Sequence, residues 1–346
     1  MSDVNSSGGP MIGWIQAIGT PRDIGLALGQ AGRVAVHRHL VPSTVWAQVT
    51  APAHAEPLAR MARTTRAAFP AVWAELEGLA DGLDLPLHDV FAWNCRGDLI
   101  AGASEGCTTV QLPSRVPVIG HNEDGLPFFR GHCFMAEVIP EAEAGFTAFC
   151  YPGSLAGHAF AFTATGMVQT VNNLRLTGIG AEVPRIVLGR AALSRRSVAE
   201  TLDLLHAAPA SGGFHFTLAE QGSSQITSIE FGGGVVSARP ILTPALHTNH
   251  ALHLPGALSS QIVTRSSCHR QARGIELLRS GARDPLAILR DTGGSGLPIL
   301  RCAPNDPDDE NTLATAVFRI GPSGIDWEIY DRPGASAAYA RDAEIA

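Results

Sequence analysis

The sequence predicts an α+β layered sandwich. Three observations carry the prediction. The elements come in blocks: helices, strands, two helices, strands, two helices, strands. The strands are short alternating or all-apolar runs split by Gly and Pro, as in hairpins. Single helices do not alternate with single strands as they do in a doubly wound parallel sheet. With 346 residues, 45% hydrophobic and 16% charged, the chain can bury a large core in one large or two ordinary domains.

The first hundred residues read as helical. Thr20 is a plausible N-cap with Pro21 in the first turn, opening a segment with Ile24, Leu26, Leu28, Val34 and Val36. Glu56 to Asp81 carries apolar residues at helical spacing, broken at Pro70. A third helix runs from Pro86 to about Ala101. The texture then changes to strands and turns at Thr108–Leu112, Val116–Gly120, Phe134–Ile139 and Phe146–Tyr151. Residues 144–174 carry no formal charge, but Phe160, Phe162, Val168 and Val171 follow the strand period, and polar residues interrupt the run, so no membrane span is predicted. Helices follow at Pro184–Leu193 and Ser197–Ala207, the latter opened by a Ser197/Glu200 capping box. Strands resume at 214–220 and 226–231, and Gly232-Gly233-Gly234 reads as a hairpin turn. A helix fills roughly 260–279, another starts at Asp284-Pro285, and Thr312–Ile320 pairs with Asp326–Tyr330. The tail after Pro333 reads as loosely held.

Composition excludes several chemistries. All 25 Lys+Arg residues are Arg, so no lysine Schiff base and no Walker A or kinase lysine is available. A net charge of -7 argues against nucleic acid, and no basic amphipathic helix suggests a membrane surface. Met1 to Pro10 does not read as a signal peptide, and the chain is expected in the cytoplasm. Six scattered cysteines form no C-x-x-C pair; five are expected to be core thiols, leaving the question of one nucleophile.

That cysteine is Cys107, after Gly106 at the helix-to-strand boundary, where Gly permits close backbone approach. Downstream, Gly120-His121-Asn122-Glu123-Asp124-Gly125 reads as a turn holding an amide and two carboxylates, able to solvate an amine or orient a base. His247-Thr248-Asn249-His250 offers a polar cluster at a strand end. Arg301, alone in an apolar run, is either buried against a carboxylate or a site residue.

Together these motifs resemble the acyl-coenzyme A:6-aminopenicillanate acyltransferase family, which includes carcinine and N-β-alanyldopamine hydrolases and consists of N-terminal-nucleophile proteins. The resemblance rests on Gly19-Thr20-Pro21, Asn94-x-Arg96, Gly106-Cys107-Thr108-Thr109, Gly120-x-Asn122-x-Asp124, Val171-Asn172-Asn173-Leu174, Val183-Pro184-Arg185, His247-Thr248-Asn249-His250 and Arg301, in that order. It implies a four-layer αββα sandwich. It also implies a precursor that cuts its own Gly106–Cys107 bond into a helical 1–106 chain and a catalytic 107–346 core, which stay together as one globular unit. The Cys107 thiol would then be the nucleophile and its new α-amine the base. Asn249 would donate to the oxyanion, with Asn172 assisting; Asp124 and Arg301 would frame the amine; Thr109 would help self-cleavage. Glu123, Asn122, Asn172 and His247 would bind substrate. Glu123 replaces a bulky aromatic of the penicillin enzyme and Gly232 a serine, which points away from penicillin toward an amide bearing a free amine.

The implied reaction is hydrolysis of a small N-acyl amide. Acyl transfer to an amine, with acyl-coenzyme A as donor, is the alternative, and a homodimer is left open. A non-enzymatic binding protein of the same fold is a further alternative. No cofactor and no metal are expected: the His247, His250, His253 spacing does not place three imidazoles on one face. Residues 305–311 lack the Gly and Glu of a calcium loop and read as a solvated acidic loop.

Overall fold

Thr20 caps the first helix, α1 (Pro21–Ala35), by accepting from the Asp23 N–H while Asp23 bonds back to the Thr20 N–H. The computed structural model describes residues 10–100, 102, 106–256 and 260–341. Residues 1–9, 101, 103–105, 257–259 and 342–346 lie outside them. The expected helical region contains α2 (Thr44–Val49), α3 (Ala55–Ala68), α4 (Pro70–Leu83), α5 (Leu87–Asn94) and α6 (Arg96–Leu99). Pro70 separates α3 from α4 as its missing N–H requires. Helices α1 and α4 touch backbone to backbone: a Cβ on Gly25 would fall 1.9 Å from the Glu75 carbonyl oxygen, and one on Gly78 2.0 Å from that of Arg22.

One strand precedes α1 and was not expected. This strand, β1 (Gly13–Gly19), buries only Ala17 fully, and it pairs in parallel with β4 (Phe134–Pro140). Its stability comes from a partner more than a hundred residues away, so no local pattern announces it.

The remaining elements are β2 (Gly106–Leu112), β3 (Val118–Gly125), β5 (Phe146–Cys150), β6 (Phe160–Thr163), β7 (Met167–Leu174), α7 (Arg185–Ala192), α8 (Val198–Ala207), β8 (Gly213–Glu220), β9 (Ile226–Gly232), β10 (Val235–Pro240), β11 (Ala245–His247), α9 (Arg265–Arg279), α10 (Pro285–Leu289), β12 (Asn311–Ile320), β13 (Ile325–Tyr330) and β14 (Tyr339–Arg341). Among the described residues they form an eight-stranded sheet, β1-β4-β5-β6-β7-β8-β9-β10, and a six-stranded sheet, β11-β2-β3-β12-β13-β14. Strands β2 and β7 bring the sheets face to face; α1 and α8 cover the first sheet, and α9 and α10 the second. The result is the expected helix–sheet–sheet–helix layering.

Several local expectations are corrected. Residues 120–125 are not a turn but the second half of β3, paired on one side with β2 and on the other with β12. Asn, Asp and Gly are poor strand formers, but central placement satisfies their backbone and neighbours satisfy their side chains. The helix expected from 260 begins at Arg265, because Thr264 caps it through the Ser267 N–H. At α8 only half of the expected capping box forms: Ser197 accepts from the Glu200 N–H, while Glu200 accepts from Arg196 instead. The acidic loop is not uniformly solvated, since Asp306 and Glu310 are buried against Arg301. The tail is held as far as Arg341: Tyr339 packs on Trp14 at 5.0 Å and donates to the Ile12 carbonyl. Cys95, Cys133 and Cys150 are core thiols, but Cys268 and Cys302 are exposed.

Candidate active site

Strand alternation sorts the sequence-selected residues into two groups. Cys107 pairs with Glu123, and Thr109 with His121, so these four face the space between the sheets. Asn122 and Asp124 project from the opposite face of β3, toward the outer helices. The two adjacent carboxylates therefore do not act together.

On the inner face, Cys107 lies at the wall of a cavity of ≈ 230 Å³. Trp93, Phe128, Phe129, Tyr151 and Phe214 supply its aromatic surface, and Arg96, Glu123, Asn173 and Asp309 its polar groups. The Cys107 thiol donates to Glu123 Oε2 at 3.5 Å. Glu123 also accepts from the Tyr151 hydroxyl at 2.7 Å, and its Oε2 lies 3.0 Å from His121 Nε2. Burial pushes the His121 imidazole down to about 3, so it is neutral, and pushes the Tyr151 phenol well up, reinforced by Glu123.

The Cys107 main chain is held from both sides. Its N–H donates to Asn249 Oδ1 at 2.9 Å, and its carbonyl accepts from Arg270 Nη1 at 2.5 Å. Arg270 also donates to Thr108 Oγ1 at 2.8 Å and to Asn249 Oδ1 at 2.7 Å. Sequence reasoning missed Arg270. A signal existed: the N-terminal half of α9 buries Ser266, Ser267, Arg270 and Gln271 on one face. A helix whose buried face is polar is committed to a polar partner.

On the outer face a charge network surrounds Gly106. A Cβ there would fall 2.3 Å from Glu310 Oε2, so any larger residue would have to displace the Glu310 carboxylate. Glu310 pairs with Arg301 and, at 3.1 Å, with Arg175. Burial pushes the Glu310 carboxyl up to about 7 against the pull of these arginines. Asp124 is also raised by burial, opposed by Arg270 and Arg301. It accepts from Thr312 at 2.6 Å, and its Oδ2 has no hydrogen-bond partner among the described residues. Arg301 also binds Asp306. Asp124 and Arg301 thus belong to the charge network beside Gly106, on the outer face, and neither lines the cavity.

Three expected substrate-binding residues turn away from the cavity. Asn122 donates to the Leu289 carbonyl at 2.8 Å and accepts from Thr315 at 2.6 Å. Asn172 is tied to Thr109, His215 and the His247 carbonyl. His247 bonds Glu230 at 2.8 Å and stacks on His215 at 3.5 Å. Asn173, next to Asn172, is the amide that lines the cavity, and neither of its amide atoms has a hydrogen-bond partner among the described residues. The His string splits: His247 and His253 flank Glu230, while His250 bonds Ser267.

The site is thus a buried cysteine at the start of β2, facing a cavity, with its peptide bracketed by the Asn249 amide and the Arg270 guanidinium. Residues 111–331, more than half of the chain, match the acyl-coenzyme A:6-aminopenicillanic acid acyl-transferase family, and the chain belongs to that family. Among its relatives is the Beta-alanyl-dopamine/carcinine hydrolase of Drosophila melanogaster, 23% identical over 213 residues. That match takes in 54% of this chain and 55% of the relative, so the chain spans about half the length of the relative it matches. Similar solved structures include a Caenorhabditis elegans ortholog of N-acylethanolamine-hydrolyzing acid amidase (TM-score 0.43, 12% identity, 62% of this chain and 92% of that one). Another is penicillin V acylase from Agrobacterium tumefaciens (TM-score 0.41, 12% identity, 66% and 84%).

Proposed function

We propose that this chain is a self-processing cysteine amidohydrolase that hydrolyses a small amide carrying a free amine. The observation that carries the reading is the setting of Cys107: its thiol lies at the cavity wall, and Asn249 and Arg270 fix its peptide. In the uncut chain the Cys107 nitrogen is a peptide N–H, so another base must take the thiol proton. Glu123, at 3.5 Å, is in position. The thiolate adds to the Gly106 carbonyl, the C–S bond forms, and the C–N bond breaks as the nitrogen takes a proton. Water then splits the thioester, leaving a Gly106 carboxylate, a free thiol and a new α-amine. Thr109 contributes by holding His121 beside Glu123.

In turnover the α-amine is the base, with an ordinary value near neutrality (about 7.7–8.0). The thiol attacks the substrate carbonyl, the amine product leaves with a proton, and water releases the acid. The oxyanion donors of this reading are the Nδ2 groups of Asn173, which lines the cavity, and of Asn249, whose Oδ1 holds the Cys107 N–H and whose Nδ2 rests on the Asn173 carbonyl at 3.3 Å. The aromatic walls and the ≈ 230 Å³ volume suit a small substrate, and Glu123 and Asp309 on the wall suit a cationic amine, as in a β-alanyl amide. The six cysteines are thiols rather than disulfides, which favours a reducing, cytoplasmic setting.

Intact mass of freshly purified protein tests the reading. Cleavage yields fragments of about 11 and 25 kDa, in proportion to 36.3 kDa over 346 residues. Cys107→Ala stays full-length and inactive on a panel of N-acyl amines, whereas Cys268→Ala is cut and active. A full-length, active wild type overturns the mechanism. Turnover that requires acyl-coenzyme A replaces hydrolysis with transfer.

A further inference from the structure

Three lone-pair donors of different chemistry meet where Cys107 and Glu123 line the cavity: the Cys107 sulfur, a His121 ring nitrogen and a Glu123 carboxylate oxygen, all within 4.8 Å of one another and all buried. The hydrogen bonds behind them fix which atoms carry protons. The His247 carbonyl can only accept, so Asn172 turns Nδ2 to it at 3.3 Å. Asn172 Oδ1 then faces Thr109 Oγ1 at 2.8 Å and takes the single hydroxyl proton. Thr109 is left to accept from His121 Nδ1 at 2.8 Å, which leaves the lone pair on Nε2. That lone pair points at Glu123 Oε2, 3.0 Å away, itself an acceptor. Two facing lone pairs at this distance call for an acid between them, either a proton or a metal ion.

We infer that Cys107, His121 and Glu123 form a zinc site that holds the nucleophile as a bound thiolate and so restrains it. Tetrahedral zinc with ordinary bond lengths separates sulfur from oxygen by about 3.5 Å and nitrogen from oxygen by about 3.3 Å. The structure has 3.5 Å and 3.0 Å for these two pairs, and the sulfur lies within 4.8 Å of the ring nitrogen, so an ion enters as the Cys107 and His121 side chains close on it. Thiolate, carboxylate and neutral imidazole together offset the charge of Zn²⁺, which makes burial of the ion affordable. Each oriented ligand already has its outer partner: Thr109 on the imidazole and Tyr151 on the carboxylate. The cavity side leaves a fourth position for water or a substrate oxygen. Binding expels the thiol proton, so it strengthens as pH rises.

The inference does not rest on self-cleavage, and intact mass recorded on each sample keeps the two readings separate. Chelator-treated protein is titrated with Zn²⁺ against a metal-binding dye, and with Co²⁺ to observe the thiolate-to-metal absorption band. The expected result is one saturable equivalent with a thiolate band. Cys107→Ser abolishes the band, and His121→Gln or Glu123→Gln lowers affinity more than a hundredfold. Thr109→Val and Tyr151→Phe lower it about 10–100-fold. A Cys268→Ser/Cys302→Ser variant, which removes the two exposed thiols, binds as the wild type does. If a ligand variant misfolds by circular dichroism, the Thr109 and Tyr151 variants decide. Absence of a saturable equivalent, or affinity indifferent to these substitutions, overturns the site.

Discussion

Asn249 accepts from both the Cys107 N–H and the Arg270 guanidinium, while its Nδ2 donates to the Asn173 carbonyl at 3.3 Å. One side chain thus sets the position of the Cys107 nitrogen and links it to the strand that carries Asn173. On the proposed reading the Asn249 amide meets charge only as the oxyanion develops, so Asn249→Ala is expected to lower turnover by about 10²–10³ with a smaller change in KM. The measurement is steady-state kinetics normalised to the cleaved fraction. Normal turnover with only a raised KM would remove Asn249 from this role. The contrast with Asn172 shows what the sequence could and could not carry. A polar string after an apolar run marks Asn249 as special without any structure. Choosing between adjacent Asn172 and Asn173 requires knowing which face of β7 meets the cavity, and a fully buried strand lacks the polar–apolar alternation that would reveal it.

At the scale of elements, the loop after β11 hangs on β9 through one carboxylate. Glu230 accepts from the main-chain N–H groups of Leu252, His253 and Leu254 at 2.6, 2.7 and 2.5 Å, and from His247 at 2.8 Å. These bonds and the neighbouring imidazoles hold its carboxyl down to about 2, although burial opposes them. A depressed carboxyl stabilises the fold above its ordinary value of 4.5 and loses that contribution as pH falls through about 2. Glu230→Gln should therefore cost about 1.5–3 kcal/mol near neutrality, the range for a hydrogen bond to a charged group. The difference in melting temperature from wild type should shrink as pH drops from 5 toward 2. A constant difference across that range would mean that charge at Glu230 contributes nothing. The same distinction explains which elements were legible. Helices α1, α4 and α8 announce themselves through Pro, Thr or Ser at their starts, and α3 through its helical apolar period alone. Residues 120–125 look like a turn because their polar side chains are satisfied by distant partners, Thr312 and Thr315 among them.

Across the whole molecule, the expected cut at Gly106 does not coincide with a boundary in the core. Ile24, Leu28, Leu76 and Trp93 from the N-terminal side share one apolar cluster with Phe129, Phe149, Phe160 and Phe216 from the other. Strand β1 is hydrogen-bonded along the edge of the eight-stranded sheet through β4, and Arg190 of α7 forms a buried pair with Glu75 of α4 at 2.8 Å. Dissociation after cleavage would expose that apolar face, leave the β4 edge unpaired and strand a buried charge, which alone costs about 3–5 kcal/mol. The two fragments should therefore co-elute at the mass of the full chain in native size exclusion while separating on a denaturing gel. They should also melt in a single calorimetric transition. Elution of a stable 107–346 fragment alone, or two transitions that scan independently, would show that the N-terminal helices are a detachable segment rather than half of the core.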